Sequence, residues 1–353
     1  MTRIVVAMSG GVDSSVAAGL LVEQGHDVIG VHMKLHDAPT VQGSGTCCGL
    51  DDALDARAVA DRLGIPFYVV NLREEFQRAV IDTFTSEWIA GRTPNPCVHC
   101  NGVLKFRVLL QRALALGASH LATGHYAQVD HTPIGLRMAT DRDKDQSYFL
   151  FPVTPKALEH TLFPLGGMTK PEVRGHAERL GLPTASKSES QDVCFLPERD
   201  HARLIREAQP ERDGAGDIVD ESGQVLGQHD DYARFTVGQR RGVGVAFGEP
   251  RFVLRVEPDT RRVVVGPADR LSVPTMLVGG CNWFEQPDPD RVVTVRIRHR
   301  GALAAATLHP AANGQVEVRA LESLRAVTPG QAAVFYDGDR VLGGGWIRKS
   351  VAA

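Results

Sequence analysis

The first 123 residues alternate short apolar runs with segments whose apolar positions recur every three or four residues. The apolar runs predict strands over residues 4–8, 28–31, 67–70 and 120–122. Helical spacing predicts helices over residues 14–24, 51–63, 74–90 and 106–115. This alternation is typical of an α/β fold in which helices cover a parallel sheet.

The pattern changes twice along the rest of the chain. From residue 154 to about 207 it is helical and interrupted by prolines, with its clearest amphipathic stretch over 170–180. After Asp213, short β-rich segments alternate with Gly, Pro and Asp turns, which is typical of barrels or sandwiches. We therefore predict a parallel-sheet domain with a helical extension over 1–207, a small β-rich central domain over 208–271 and a C-terminal β-barrel over 272–353.

The turn between the first strand and the first helix carries the sequence SGGVDSS, residues 9–15. Gly10 and Gly11 permit positive φ and close approach of the backbone to a ligand, and Ser14 or Ser15 can cap the helix. Amide groups and a helix start together favour an anion. A Walker loop would need a lysine after the glycines, and this turn has none.

Net charge gives no general signature of nucleic-acid binding, because it is −3 over 353 residues. A polyanion would need local basic patches. The candidates are Arg296, Arg298, His299 and Arg300 on a predicted strand, with Arg240 and Arg241 in a turn. The first residues do not predict a secretory signal, and no apolar run approaches eighteen residues, so we expect a cytoplasmic protein without a membrane span.

Six cysteines lie at positions 47, 48, 97, 100, 194 and 281. Their scatter argues against a disulfide framework. Cys97 and Cys100 form a C-x-x-C in a segment, residues 91–101, whose two prolines predict a loop; the spacing suits a redox dithiol, half a zinc site, part of an iron–sulfur site, or chance. Cys194 ends a polar segment, and Cys47, Cys48 and Cys281 are interpreted as structural.

Several longer motifs occur in a fixed order along nearly the whole chain. They are SGGVDSSVA at 9–17, GRTPNPCVHCN at 91–101, TGHYA at 123–127, KDQSYFL at 144–150, SESQDVCF at 188–195, TVGQRRGVG at 236–244 and LGGGWI at 342–347. In content and order they resemble the tRNA-specific 2-thiouridylase family. The first resembles the PP-loop of ATP pyrophosphatases, so the resemblance implies a PP-loop domain for residues 1–207.

The resemblance implies ATP-dependent 2-thiolation of the wobble uridine, position 34, in tRNAs of the lysine, glutamate and glutamine type. ATP, with Mg²⁺, would adenylate the C2 oxygen, and a persulfide on Cys194 would supply sulfur with Cys100 as partner nucleophile, through a transient Cys100–Cys194 disulfide or by assisting the attack. It implies ATP contacts at Ala7, Met8, Ser9, Gly10, Gly11, Val12, Asp13, Ser14, Met33 and Gly124. The target base would be flanked by Asn95, Pro96 and Cys97. Contacts to the anticodon stem-loop would come from His125, Lys144, Asp145, Gln146, Arg298, His299 and Gln331.

Alternatives remain at the level of the sequence. Some family members have aspartate where this chain has Cys97, so Cys97, Cys100 and Cys194 could instead hold a [4Fe-4S] cluster. A more remote hypothesis is that the chain is another PP-loop enzyme, an amidating or condensing synthetase. The sulfur would come from a cysteine desulfurase or a relay protein.

Overall fold

A computed structural model describes residues 1–36, 50–189, 193–196, 200–244 and 249–351. The expectation that Cys47 and Cys48 are structural lies outside the described residues. The chain forms two compact units that do not follow chain order. The first unit comprises Met1–Ile81, Pro96–Arg199 and Gly338–Leu342; the second comprises Asp82–Asn95, Asp200–Asp337 and Gly343–Ala353.

The first unit is built on a five-stranded parallel sheet with the order β3-β2-β1-β4-β7. Its strands are β1 (Arg3–Ala7), β2 (Asp27–Lys34), β3 (Phe67–Asn71), β4 (His120–Thr123) and β7 (Thr161–Leu162). In this register Ala7 lies opposite Val31 and Thr123, so β1 and β4 end at the same edge of the sheet, and β2 continues beyond it to Lys34. The four predicted strands are confirmed, and the short β7 was not predicted.

Helices connect these strands as the apolar spacing predicts. In the first unit they are Val12–Glu23, Leu50–Leu63, Arg73–Phe76, Gln77–Ile81, Pro96–His99, Cys100–Leu109, Leu110–Ala115, Ser147–Leu150, Pro155–Leu158 and Lys170–Arg179. Helix Val12–Glu23 is buried along most of its length, and its Val16 and Ala17 pack with Ile4 and Val6 of β1 in one core. Apolar burial on both faces explains the nearly continuous aliphatic runs of the inner strands β1 and β4, whereas Tyr68 and Val69 of the edge strand β3 are exposed.

The prediction of a loop over residues 91–101 is wrong in its second half. A helix begins at Pro96 and continues, with wider π-helical turns over Cys100–Leu109, to Ala115. Proline was interpreted as a loop residue, but at the first position of a helix its missing N–H costs nothing. Cys97 and Cys100 therefore lie on a helix.

The first unit also contains a β-hairpin that was not predicted. Strand β5 (Ala127–His131) pairs with β6 (Ile134–Met138), and β6 pairs with the first residues of β17 (Arg340–Val351). The Met138 N–H donates to the Asp339 carbonyl at 2.8 Å. Residues separated by about 200 positions thus complete this sheet.

The second unit is mostly β, in two parts. A four-stranded sheet has the order β10-β11-β8-β9, from β8 (Gly216–Val219), β9 (Val225–His229), β10 (Phe252–Glu257) and β11 (Arg262–Gly266). Six strands, in the order β12-β15-β14-β13-β16-β17, close into a barrel because β12 also pairs with β17. The new strands are β12 (Ser272–Trp283), β13 (Val293–Arg296), β14 (Ala304–Pro310), β15 (Val316–Arg325) and β16 (Ala332–Asp337).

Helical segments of the second unit are Asp82–Ile89, His201–Ala208, Tyr232–Arg234, Pro258–Thr260, Ala268–Leu271 and Ala312–Gly314. The α/β fold class with a β-rich middle and a closed C-terminal barrel is confirmed. One detail is wrong: β13 ends at Arg296, so Arg298, His299 and Arg300 lie in the turn after the strand. No helix among the described residues is long and apolar enough to cross a membrane.

Candidate functional site

The turn after β1 is shaped by close backbone packing. Gly10 has φ +77°, and a Cβ there would lie 2.3 Å from the Asp52 carbonyl oxygen. A side chain at this position would meet both backbone strain and a steric clash. At Gly11 the nearest atom to such a Cβ is Ser9 Oγ, 3.5 Å away. The two glycines therefore differ: Gly10 is required for packing, and Gly11 leaves space beside the helix start.

Hydroxyl groups hold the turn from within. Ser14 Oγ and Ser15 Oγ both donate to the Gly11 carbonyl, at 3.1 and 2.8 Å. The Ser9 N–H donates to Ser14 Oγ at 3.2 Å. These bonds span only three to five residues, so the sequence SGGVDSS largely determines its own shape.

The other predicted ATP residues lie at the same edge of the sheet. Gly124 directly follows β4, and a Cβ there would lie 2.6 Å from Ser14 N, so this backbone packs on the helix start. Ala7 ends β1, Met8 follows it, and Val12 begins the helix; all three are buried. Met33, on β2, is half-buried. The fold thus brings together the residues predicted to bind ATP.

Asp13 is the centre of a charged network that the sequence analysis missed. Its Oδ1 accepts hydrogen bonds from Lys170 Nζ at 2.7 Å and from the Tyr126 hydroxyl at 2.9 Å. Lys170 Nζ also lies 2.7 Å from Glu189 Oε1. The other oxygen of Glu189 accepts from Lys144 Nζ at 2.8 Å. The sequence did contain a signal for Lys170, because this charged residue occupies an apolar-facing position of the amphipathic stretch 170–180.

The network shifts two pKa values in opposite directions. Burial, together with the negative charge of Asp13, raises the pKa of Tyr126, so its hydroxyl stays a hydrogen-bond donor. Burial acts to raise the pKa of Glu189, but hydrogen bonds from Lys144 and Lys170 outweigh it and bring the value to about 2. Glu189 is therefore a carboxylate at neutral pH.

The two predicted catalytic thiols pack against one apolar cluster. Its buried members are Leu35, Leu72, Phe76, Val80 and Leu104. Cys100, Cys194 and Met33 all pack against it, and the rings of Phe76 and Phe195 meet edge to face at 5.6 Å. Cys100 and Cys194 are almost a hundred positions apart in the sequence, but both contact the same apolar cluster as Met33 of β2. Within the described chain, Cys97, Cys100, Cys194 and Cys281 are thiols and form no disulfide.

Burial strongly perturbs the thiol of Cys100. Burial raises its pKa to about 12; Lys105 acts to lower it, and the neighbouring Cys194 and Cys97 add to the increase. At neutral pH Cys100 is thus a protonated thiol. Cys97, about one helical turn away from Cys100, is exposed.

His125 lies close to this helix. Its Nε2 is 3.4 Å from Lys105 Nζ, and its Nδ1 is 2.6 Å from Thr123 Oγ1. Burial and the positive charge of Lys105 hold the pKa of His125 well below its ordinary value, so the imidazole is neutral. A neutral ring beside a lysine is equipped to accept a hydrogen bond.

The Lys144-Asp145-Gln146 segment is held by hydrogen bonds to residues on either side of it and to Tyr126. Asp145 is only 2% exposed, and its carboxylate accepts from the N–H groups of Ala139 and Ser147 and from the Ser147 hydroxyl. Gln146 and Tyr126 exchange two hydrogen bonds, of 2.8 and 2.9 Å. The structure therefore gives Asp145 a positioning role in this loop; contact with tRNA stays a prediction for all three residues.

In the second unit, Arg298 and Gln331 line a cavity of about 390 Å³ with Thr93, Thr236, Val237, Gly238, Gln239 and Thr328. Arg298 Nη2 lies 3.1 Å from both the Ala326 carbonyl and Thr328 Oγ1. Gln331 Nε2 donates to the Thr93 carbonyl at 2.9 Å. His299 is half-buried in the turn after β13. Of the residues predicted to flank the target base, Asn95 belongs to this unit, and Pro96 and Cys97 belong to the first.

The described residues do not fit a [4Fe-4S] cluster. No group of three or more His, Cys, Asp or Glu side chains among them is arranged to hold a metal.

Three family models match the chain in succession. Residues 2–198 match a tRNA methyl transferase HUP domain, residues 203–267 a tRNA methyl transferase PRC-barrel domain, and residues 273–347 an aminomethyltransferase beta-barrel domain. Together the three matched ranges extend from residue 2 to residue 347.

Curated relatives are similar over nearly their whole length. The tRNA-specific 2-thiouridylase MnmA of Geotalea uraniireducens (strain Rf4) is 50% identical over 359 residues, which cover 99% of this chain and 96% of the relative. The proteins of the same name from Geobacter metallireducens and Rhodospirillum centenum are 50% and 48% identical; they cover 98% and 100% of this chain, and 96% and 93% of their own lengths.

Proposed function

Because the chain belongs to the tRNA-specific 2-thiouridylase family, we propose that it uses ATP to convert the wobble uridine of tRNA to 2-thiouridine. The observation that carries this proposal is the apolar cluster shared by Cys100, Cys194 and Met33. It supports two sulfur atoms acting beside β2, which pairs with β1, the strand that leads into the nucleotide loop. Membership of the family also sets aside an amidating or condensing synthetase.

The first step is activation of a poor leaving group. The C2 oxygen of uracil attacks the α-phosphorus of ATP, and pyrophosphate leaves toward the loop Ser9–Ser14, where amide groups and the helix start favour an anion. Asp13 is the carboxylate of this loop that fits Mg²⁺, which is commonly held by one or two carboxylates together with substrate phosphates. When bound, the ion would neutralise phosphate charge. Gly10 and Gly124 keep the backbone close enough to form this site.

The second step transfers sulfur and conserves electrons. The outer sulfur of a Cys194 persulfide attacks C2, and AMP leaves with the original oxygen. Cys100 then attacks Cys194 Sγ in the resulting disulfide, so that 2-thiouridine is released and a Cys100–Cys194 disulfide forms. Alternatively, Cys100 attacks the persulfide first and liberates sulfide. Both routes oxidise two thiols, so an external dithiol reductant is required for each further turnover.

The raised pKa of Cys100 determines at which point of the reaction this residue acts. A thiol with a pKa of about 12 is almost entirely protonated at neutral pH and reacts slowly. Lys105, which acts to lower that pKa, is the group suited to stabilise the thiolate when Cys100 reacts. We infer that Cys100 stays inactive until the substrate is bound.

The partners that follow from this proposal are the anticodon stem-loop of tRNA and a cysteine desulfurase or relay protein that loads Cys194. Arg240, Arg241, Arg298 and His299 in the second unit are the proposed phosphate contacts. Lysine, glutamate and glutamine tRNAs are the proposed substrates, and the cytoplasm is the proposed location.

Nucleoside mass spectrometry tests the function. Unmodified tRNA would be incubated with ATP, Mg²⁺, a persulfide donor, a dithiol and the protein. We expect 2-thiouridine from the wild type and from the control Cys281→Ser, and none from Cys194→Ser or Cys100→Ser. Product from both of the last two variants at the wild-type rate would overturn the mechanism. Parallel iron analysis of the active, anaerobically purified protein should find none.

A further inference from the structure

Lys170 occupies an electrostatically unfavourable position. It is only 8% exposed, and it is the first residue of helix Lys170–Arg179, where the helix dipole opposes a positive charge. Burying an ammonium group costs free energy unless it is paired. The start of this helix is already capped by Thr169 and Glu172, so Lys170 is not needed there.

Two carboxylates from distant parts of the chain share this ammonium group. Asp13 Oδ1 and Glu189 Oε1 each lie 2.7 Å from Lys170 Nζ. Lys170 also lies 5.7 Å from the centre of the Tyr126 ring, and the Tyr126 hydroxyl donates to the same Asp13 oxygen. The nucleotide loop is thus connected to Glu189 through a single positive charge.

Glu189 extends the network in two directions. Its second oxygen binds Lys144, so the charges alternate in sign from Asp13 through Lys170 and Glu189 to Lys144. Glu189 lies five positions before Cys194 in the sequence. The residue that shares Lys170 with the nucleotide loop therefore also lies close in sequence to Cys194, the proposed sulfur carrier.

We propose that Lys170 is a positioning residue that couples the nucleotide site to Cys194, because nucleotide phosphates bound at the Ser9–Ser14 loop compete with Glu189 for its charge. This inference rests on the proposed roles of that loop and of Cys194. A triphosphate places several negative charges beside Asp13, and Lys170 is the buried cation nearest to that carboxylate among the described residues. Weakening the Lys170–Glu189 pair leaves Glu189 with Lys144 alone.

The coupling is measured as the rate at which iodoacetamide alkylates Cys194, followed by peptide mass spectrometry, with and without a non-hydrolysable ATP analogue and Mg²⁺. In the wild type we expect saturating nucleotide to accelerate alkylation roughly five- to tenfold, the lower range of typical couplings between sites. Lys170→Met should alkylate rapidly with or without nucleotide, and Lys170→Arg should retain most of the response.

Glu189→Gln separates coupling from nucleotide binding. It leaves Lys170 paired with Asp13, so calorimetry should give a nucleotide affinity within about twofold of wild type, while the response at Cys194 is lost. The exposed Lys156, on helix Pro155–Leu158, supplies the matched control Lys156→Met, which should behave as wild type.

An unchanged or slower alkylation rate in nucleotide-saturated wild type would overturn the coupling. A full response in Glu189→Gln would do the same. Failure of the wild type to bind the ATP analogue would instead refute the proposed function, so the two failures are distinguishable.

Discussion

The nucleotide loop and the cavity of the second unit use polar side chains in different ways. In the loop, Ser14 and Ser15 bond to a carbonyl three or four residues away. In the cavity, Arg298 bonds to Ala326 and Thr328, and Gln331 bonds to Thr93, 238 positions earlier. A motif whose partners are local can be recognised in the sequence, whereas one whose partners are distant depends on the completed fold.

This difference also distinguishes residues that shape a proposed binding site from residues whose polar groups stabilise their own unit. Gly10 and Gly124 allow backbone atoms to approach closely at the site proposed for the nucleotide. Arg298 and Gln331 bind the carbonyl groups of their own unit, so part of their polar capacity is already used for architecture. Substitutions can distinguish the two classes, since architecture is measured as stability and recognition as affinity.

The largest effect is expected for Gly10→Ala. Positive φ and the 2.3 Å approach to the Asp52 carbonyl should together cost about 2 to 5 kcal/mol of unfolding free energy and abolish ATP-dependent thiolation. Gly64→Ala is the matched control, because Gly64 has φ +68° with nothing within 4 Å of a Cβ. It should cost about 1 kcal/mol and keep activity. Urea unfolding measures both, and equal costs would mean that the clash is relieved by movement of the Leu50–Leu63 helix.

A smaller effect is expected for Arg298→Met. Loss of the bonds to Ala326 and Thr328 should lower stability by about 1 kcal/mol in urea unfolding. The control is Arg240→Met at an exposed position, which should change stability by less than about 0.5 kcal/mol. If Arg240 meets a phosphate, its loss should reduce the slope of log K against log salt for tRNA by about 1. A purely electrostatic effect of Arg298→Met, without loss of stability, would contradict its architectural role.

A third comparison follows one thiol from each unit as the pH rises. Burial raises the pKa of Cys100 to about 12 and that of Cys281 to about 11, from an ordinary value of 9.0. Between those values the unfolded chain loses the proton and the folded chain keeps it, so stability falls as the pH increases above 9.0. Relative to wild type, Cys100→Ser should reduce this fall up to about pH 12, and Cys281→Ser only up to about pH 11. Denaturant unfolding at several pH values measures it, and identical profiles would contradict the predicted difference.

Much of the first unit was predictable because its signals are local. Four strands and the helices between them follow from apolar spacing, and the turn SGGVDSS closes on itself through hydroxyl bonds to Gly11. The β-rich character of the second unit was equally visible in its short runs. The domain bounds at 207 and 271 stay predictions, as do the roles of the site residues.

What could not be predicted depends on long-range pairing. Nothing near Lys170 in the sequence indicates that Asp13 and Glu189 meet at its ammonium group. The raised pKa of Cys100 arises from burial, with Cys194 and Cys97 adding to it, and only the fold brings Cys194 close to Cys100. The helix that begins at Pro96 was missed for a local reason. Proline inside a segment was interpreted as a loop residue, although it is well tolerated at the first position of a helix.

The last strand has a consequence for the order of synthesis. Arg340 and Val341 of β17 pair with Arg137 and Leu136, while later residues of the same strand close the barrel against β12. A ribosome that has made the Ser9–Ser14 loop, Cys100, Cys194 and most of the barrel has therefore completed neither unit. Both sheets need the same dozen residues of β17 to be complete. Premature termination shortly before β17 should therefore yield a chain in which two strand edges are unpaired and prone to aggregate.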